Sequence, residues 1–250
     1  MHAQDANVWR GGRHVVTTES SRARGLPGGS EARDLLATVP ALAPLSHDDL
    51  LDLAASARRR SYTKGEVIFH LDDPGDSLHI IVKGEVRVML PSPEGEEVTL
   101  ALLGPGDFFG DLCLLDGGPR SATTVAIKAT ETLVVERSRF LQWLQSRPAA
   151  AVAVLTAVGR RLRAANELVG EFAFLDVHCR LAKKLLDLAG PAGERDQAEI
   201  HYSQDELASM VGVTRESVNK HLQFFKKRGA IEVHRRRIVL RSVDYLRRFA

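Results

Sequence analysis

From Val67 to Leu90 the chain reads VIFHLDDPGDSLHIIVKGEVRVML, and this stretch decides the fold. Three apolar runs rich in β-branched residues are parted by an Asp-Pro-Gly-Asp turn and a Lys-Gly pair, the pattern of short strands joined by tight turns. The texture continues through VTLALL, GPGD, SATTVAI and TLVVE as far as Val135. A succession of this kind predicts a sandwich or small barrel.

One segment interrupts the strands: FFGDLCLLDGGPRSATT, Phe108–Thr124. Gly110-Asp111 and Arg120-Ser121 bracket it. Backbone N–H groups, a hydroxyl and a guanidinium can therefore converge on one phosphate, with a carboxylate close by to accept from a sugar hydroxyl. The residues point to a phosphorylated sugar, and so to a nucleotide. Cys113, inside the segment, reads as a small buried hydrophobe.

Upstream, Leu35 to Ala57 is helical in pattern, with Ser46 as N-cap and Arg58-Arg59-Arg60 closing the helix. Residues 1–31 mix Gly, Ser, Arg and Thr without periodicity and are expected to be a disordered extension. Downstream of Pro148, Leu155, Val158, Leu162, Ala165, Val169 and Phe172 recur at spacings of three and four. That is coiled-coil patterning, and it predicts a long helix pairing with its copy in a parallel homodimer, the alternative being a helix packed on its own sheet.

The last part of the chain reads as two helices and a hairpin. Ser203 and Glu206 form a capping box, Gly212 ends the first helix, and Thr214 caps the second. Val218, Leu222 and Phe225 lie on one face of that second helix, with Glu216, Lys220, Gln223 and Lys227 on the other. Gly229 ends it, and IEV and IVL then flank HRRR. A short turn between helices, a polar second helix and a basic wing make a winged helix-turn-helix. Arg and Lys suit guanine edges and Glu the cytosine amino group, while the wing arginines suit phosphates.

Composition supports this division. The chain has 250 residues, 44% hydrophobic and 26% charged, enough for two domains. Its net charge of +2 conceals an asymmetry: residues 201–250 hold eleven Lys/Arg against five Asp/Glu, or +6, and residues 1–200 the remaining 23 against 27, or −4. The basic end is the expected polyanion partner. Two distant cysteines give no disulfide framework, and with no membrane-length apolar run or signal peptide the expected location is the cytoplasm. His70, His79, His178 and His221 have no ligand spacing, and no nucleophile–base pair is present, so neither a metal site nor an enzyme is expected.

The segments GEVIFHLDDPGDSLHIIVKGEVRV, FFGDLCLLDGGPRSATT, EFAFLDVHCRLAKKLLDLA and SQDELASMVGVTRESVNKHLQFFKKRGAI together resemble the cyclic-AMP receptor protein branch of the CRP/FNR family of bacterial transcription regulators, over Leu35 to Phe249. The resemblance implies an α+β chain: a jelly-roll-like cyclic-nucleotide-binding β-roll (32–147), a long dimerisation helix (148–176) and a winged helix-turn-helix (177–250), with a hinge near Asp176. It places Arg120 and Ser121 on the cyclic phosphate, Gly110 as a backbone donor with Leu112 beside it, and Asp111 where a ribose-binding glutamate is usual. Ala165 and Asn166 fall at the adenine positions, where threonine and serine or asparagine are common. Arg215, Glu216 and Lys220 fall on base-reading positions, the last usually arginine, with Thr214, Ser217, Asn219, Gln223 and Arg236 completing the DNA-binding set. The implied effector is cyclic AMP, with cyclic GMP, cyclic di-GMP or no ligand as alternatives. The implied partners are a palindromic operator, a second copy of the chain and RNA polymerase. From another class, a regulatory subunit of a kinase or channel would use the same β-roll but give the basic wing no role.

Overall fold

A computed structural model gives the fold of residues 33–34, 36–37, 39, 42, 45–92, 96–190 and 197–250. The expected extension over 1–31 lies outside the described residues. Helix α1 (His47–Ser56) starts at the capping box of Ser46 and Asp49, each holding the other's backbone N–H, and buries Leu50, Leu53 and Ala54.

Arg58-Arg59-Arg60 does not close that helix. Ala57 is already extended (φ −84, ψ 144), and the three arginines begin strand β1 (Arg58–Tyr62). Cross-strand charge explains the difference: β1 pairs with β8 (Thr130–Glu136), and Arg58 and Arg59 reach Glu136 and Glu131 at 3.4 and 3.6 Å. Basic residues on such an edge also discourage pairing with other chains.

The remaining strands are β2 (Val67–Phe69), β3 (Ser77–Lys83), β4 (Val86–Pro91), β5 (Glu97–Leu103), β6 (Phe108–Phe109) and β7 (Thr123–Ala126). They form two antiparallel four-stranded sheets, ordered β1-β8-β3-β6 and β2-β7-β4-β5. Between β6 and β7 runs the interrupting segment, where Leu112–Asp116 forms the short helix α2. Leu78, Ile80, Leu114, Leu133, Val135, Phe140 and Trp143 share one core with α1.

Helix α3 (Arg137–Ser146) leads into α4 (Pro148–Phe174), which has proline at its start, where the missing N–H costs nothing. The expected seam divides. Leu155, Leu162 and Val169 are more than 60% exposed, whereas Val158 and Ala165, with Leu162 at the rim, line a cavity of the β-roll and Phe172 meets the C-terminal domain. The outward stripe therefore runs Val152, Leu155, Gly159, Leu162, Asn166, Val169, still at spacings of three and four.

Helix α5 (Val177–Ala189) follows a break at Leu175, with Asp176 accepting from the Cys179 N–H at 2.9 Å. Strand β9 (Glu199–Ile200), helices α6 (Gln204–Val211) and α7 (Arg215–Lys227), strands β10 (Ile231–Val233) and β11 (Ile238–Leu240) and helix α8 (Val243–Arg247) complete a second core around Leu181, Leu185, Leu207, Leu222 and Phe225. The hairpin β10–β11 gains β9 as a third strand. Among the described residues no helix is long and apolar enough to cross a membrane.

Candidate ligand and nucleic-acid sites

A cavity of about 430 Å³ opens between β2, β4, β5, the Phe108–Thr124 segment and α4. Gly110 makes its geometry possible: φ is +77, and a Cβ there would strike the Arg120 guanidinium and approach Ser77 O to 2.9 Å. Arg120 is 4% exposed, and Nη1 donates to Ser77 O (2.8 Å), Gly110 O (3.0 Å) and Cys113 Sγ (3.2 Å). Nη2 donates to Ser77 Oγ at 3.0 Å, and the guanidinium lies 4.1 Å over the Phe69 ring. The charge is thus fixed among protein acceptors of which none is a carboxylate.

Asp111 is 1% exposed and bonds Arg161 Nη1 at 2.5 Å. Arg161 also donates to Phe108 O and lies over the Phe108 ring. Two buried atoms at this site keep no partner among the described residues, Asp111 Oδ2 and Arg120 Nε. A buried acceptor and a buried donor without partners are costly, and a ligand with a hydroxyl and an anionic oxygen would satisfy both. Behind Arg120 sits His79, stacked on Phe109 at 4.9 Å and beside Phe69 at 5.9 Å. Burial, then the Arg120 and Arg60 charges, hold its imidazole down at about 3, so it stays neutral. Burial likewise pushes the Cys113 thiol up, against the opposing pull of Arg120.

In the C-terminal domain Thr214 caps α7, accepting from the Ser217 N–H at 3.2 Å. Arg215, Glu216, Asn219 and Lys220 are exposed on one side of α7, and Val218, Leu222 and Phe225 are buried on the other. Arg235, Arg236 and Arg237 are exposed at the β10–β11 tip, where Arg236 reaches Glu206 at 3.4 Å and Arg237 reaches Glu199 at 2.9 Å.

Residues 59–147 match the cyclic nucleotide-binding domain family, and residues 179–249 the Crp-like helix-turn-helix domain family. The CRP-like cAMP-activated global transcriptional regulator of Mycobacterium tuberculosis is 33% identical over 193 residues, covering 76% of this chain and 86% of the relative. The cyclic AMP receptor protein of Thermus thermophilus is 34% identical over 212 residues, covering 83% and 96%. The chain belongs to the CRP/FNR family.

It is a member of the cyclic-AMP receptor protein branch, a cyclic-nucleotide-responsive, DNA-binding transcription regulator rather than an enzyme. Among solved structures this CRP/FNR regulator is similar to FixK2 of Bradyrhizobium japonicum, with a TM-score of 0.67 and 25% identity over 77% of this chain and 96% of that one. It also shares the fold of the regulator CLP of Xanthomonas campestris, with a TM-score of 0.72 and 23% identity over 78% and 99%.

Of the ligand residues expected in this CRP/FNR chain, Gly110, Asp111, Leu112, Arg120, Ser121 and Ala165 line the one cavity. Asn166 does not: it is exposed on the outward stripe of α4. Thr214, Arg215, Glu216, Asn219 and Lys220 share the exposed side of α7, Ser217 and Gln223 are half-buried on the same helix, and Arg236 sits on the wing. Sequence reasoning missed Arg161 and Ser77. The only signal for Arg161 was a charged residue on the helix face that also carries Val158, Ala165 and Leu168 inward. Ser77 gave none, because its role depends on strand register.

Proposed function

We propose that the protein is a homodimeric transcription regulator switched by cyclic AMP. The β-roll (32–147) takes the nucleotide, the long helix (148–176) forms the dimer, and the winged helix-turn-helix (177–250) binds a palindromic operator. Arg120, with Ser121 and the Gly110 N–H, takes the cyclic phosphate. Asp111 accepts from the ribose hydroxyl once Arg161 yields that position. The observation carrying this reading is that Arg120 and Asp111, both buried and lining one cavity, each retain a polar atom without a partner among the described residues.

The names of the mycobacterial and Thermus relatives favour cyclic AMP among the possible nucleotides. Leu100, Leu162, Ala165 and Leu168 make the helix end of the cavity apolar, so packing rather than hydrogen bonding holds the base there. On DNA, Arg215, Glu216 and Lys220 read base edges while Thr214, Ser217, Asn219, Gln223 and Arg236 support the contact. Two α7 helices in a two-fold dimer meet half-sites about 34 Å apart. The outward stripe of α4, with Asn166 setting register, takes the second copy. The regulator acts in the cytoplasm with RNA polymerase as a further partner.

Calorimetric titration with cyclic AMP tests the reading, beside the Arg120→Ala variant. Saturable binding that disappears in the variant supports it. Absence of heat at millimolar nucleotide would refute cyclic AMP as effector.

A further inference from the structure

Behind the cavity wall a chain of polar side chains runs into Arg120. Tyr62 Oη of β1 lies 3.4 Å from His79 Nδ1, and Ser77 Oγ lies 3.4 Å from His79 Nε2. Ser77 Oγ in turn accepts from Arg120 Nη2 at 3.0 Å. Ser77 and His79 stand two apart on β3, so the pleat puts both on one face of the sheet. His79 and Tyr62 are 3% and 6% exposed, so water does not replace these partners. Among the described residues the Ser77 hydroxyl is held by Arg120 and His79 alone.

The chemistry of the groups sets the direction of this chain. A guanidinium donates and never accepts, so the Ser77 oxygen serves Arg120 as acceptor and its hydrogen must go elsewhere. The acceptor within reach is His79 Nε2. A neutral imidazole carries one hydrogen, so a bare Nε2 leaves it on Nδ1, facing the Tyr62 oxygen. The positive field of Arg120 favours the same tautomer, because it draws the lone pair of the ring to the side of the guanidinium. The opposite tautomer would leave the Ser77 hydrogen without an acceptor among the described residues.

We infer that His79 is a positioning residue for nucleotide capture: as the Nδ1–H tautomer it holds the Ser77 hydroxyl in the rotamer that accepts from Arg120, and so fixes the guanidinium before a phosphate arrives. The inference rests on the cyclic-nucleotide reading above. A serine side chain has three staggered rotamers, and one of them directs Oγ to Nη2 and Nε2 together. Ser77 supplies two of the acceptors on Arg120, its carbonyl at 2.8 Å and this hydroxyl, so the setting of one side chain decides how the fork faces the cavity. The Phe69 ring supports the guanidinium at 4.1 Å but gives it no direction within its own plane. A donor fixed in advance loses less freedom when the ligand binds, and affinity rises accordingly.

Nitrogen NMR of the full-length protein without nucleotide is the first measurement, the His79 signals being identified by their loss in His79→Gln. Nδ1 should carry the hydrogen and Nε2 none at neutral pH, and the reverse tautomer or an imidazolium would overturn the inference. Calorimetry with cyclic AMP is the second. His79→Phe keeps a ring against Phe109 and should weaken binding about fivefold, as should Ser77→Ala; His79→Gln, whose amide oxygen can accept from Ser77, should stay within about twofold of wild type. The deciding comparison is the double variant of Ser77→Ala with His79→Phe. It should bind no more weakly than Ser77→Ala alone, since His79 acts through that hydroxyl, whereas a merely structural histidine would give additive losses. Additive losses, or a His79→Gln variant as weak as His79→Phe, would overturn the positioning role. A wild-type protein that takes up no cyclic AMP defeats the nucleotide reading instead, and the tautomer then decides the hydrogen-bond chain alone.

Discussion

His79 occupies the most demanding electrostatic position in the β-roll: fully buried, neutral, stacked on Phe109 and beside the residue that supports Arg120. Its folded value of about 3 lies below the unfolded 6.5, so between those limits the unfolded chain binds the extra proton. Stability is therefore unaffected above pH 6.5 and falls as pH drops below it, by about 1.4 kcal/mol per unit at most. Replacing His79 with glutamine should flatten that part of a denaturant-midpoint profile between pH 6 and 4. An unaltered slope would assign the acid sensitivity to the carboxylates. For Arg120, lysine keeps the charge but cannot hold Ser77 O, Gly110 O and Ser77 Oγ together. Arg120→Lys should weaken cyclic AMP binding roughly 30- to 100-fold by calorimetry and also lower the melting temperature, because acceptors held by the guanidinium lose their donor.

At the scale of elements, α4 has two distinct apolar faces. The inward face closes the cavity with Val158, Arg161 and Ala165, and the outward stripe leaves Val152, Leu155, Leu162 and Val169 more than 60% exposed. Leu155→Asp, on the outward stripe and away from the cavity, should give a monomer in sedimentation at concentrations where wild type is dimeric, with the β-roll still folded by circular dichroism. The sequence carried much at this level. The strand runs, the N-cap at Ser46, the capping box at Ser203, the Thr214 cap and the stop at Gly212 are all local signals, and all appear as read. Arg58-Arg59-Arg60 was misleading because acidic partners on β8 draw these residues into a strand, and no local pattern records a partner that far along the chain. The seam of α4 divided for the same reason: spacing shows that a face is apolar, but not which neighbour covers it. Gly110, Asp111, Arg120 and Ser121 were legible because one short segment carries them all. Arg161, arriving from a different element, was not.

For the whole molecule, the two ends carry opposite charge, and the wing concentrates the positive part on an exposed tip. Substituting Arg235 and Arg236 with glutamine should lower the slope of log affinity against log salt by about 1 for each phosphate left without its arginine, and weaken all duplexes alike. Arg215→Ala should instead cost about 1–3 kcal/mol on the selected duplex and much less on random DNA, measured by competition binding. If both changes acted equally on every sequence, α7 would not be the reading helix.

The nucleotide cavity and the exposed face of α7 belong to one chain. Coupling between two sites is reciprocal, so whatever the nucleotide does for DNA affinity, DNA does for nucleotide affinity by the same factor. A molecule seated on its operator would keep its effector after the free pool had fallen below the level needed to load a molecule in solution. Occupied promoters would then switch off later than unoccupied ones switch on, giving the regulator a short memory.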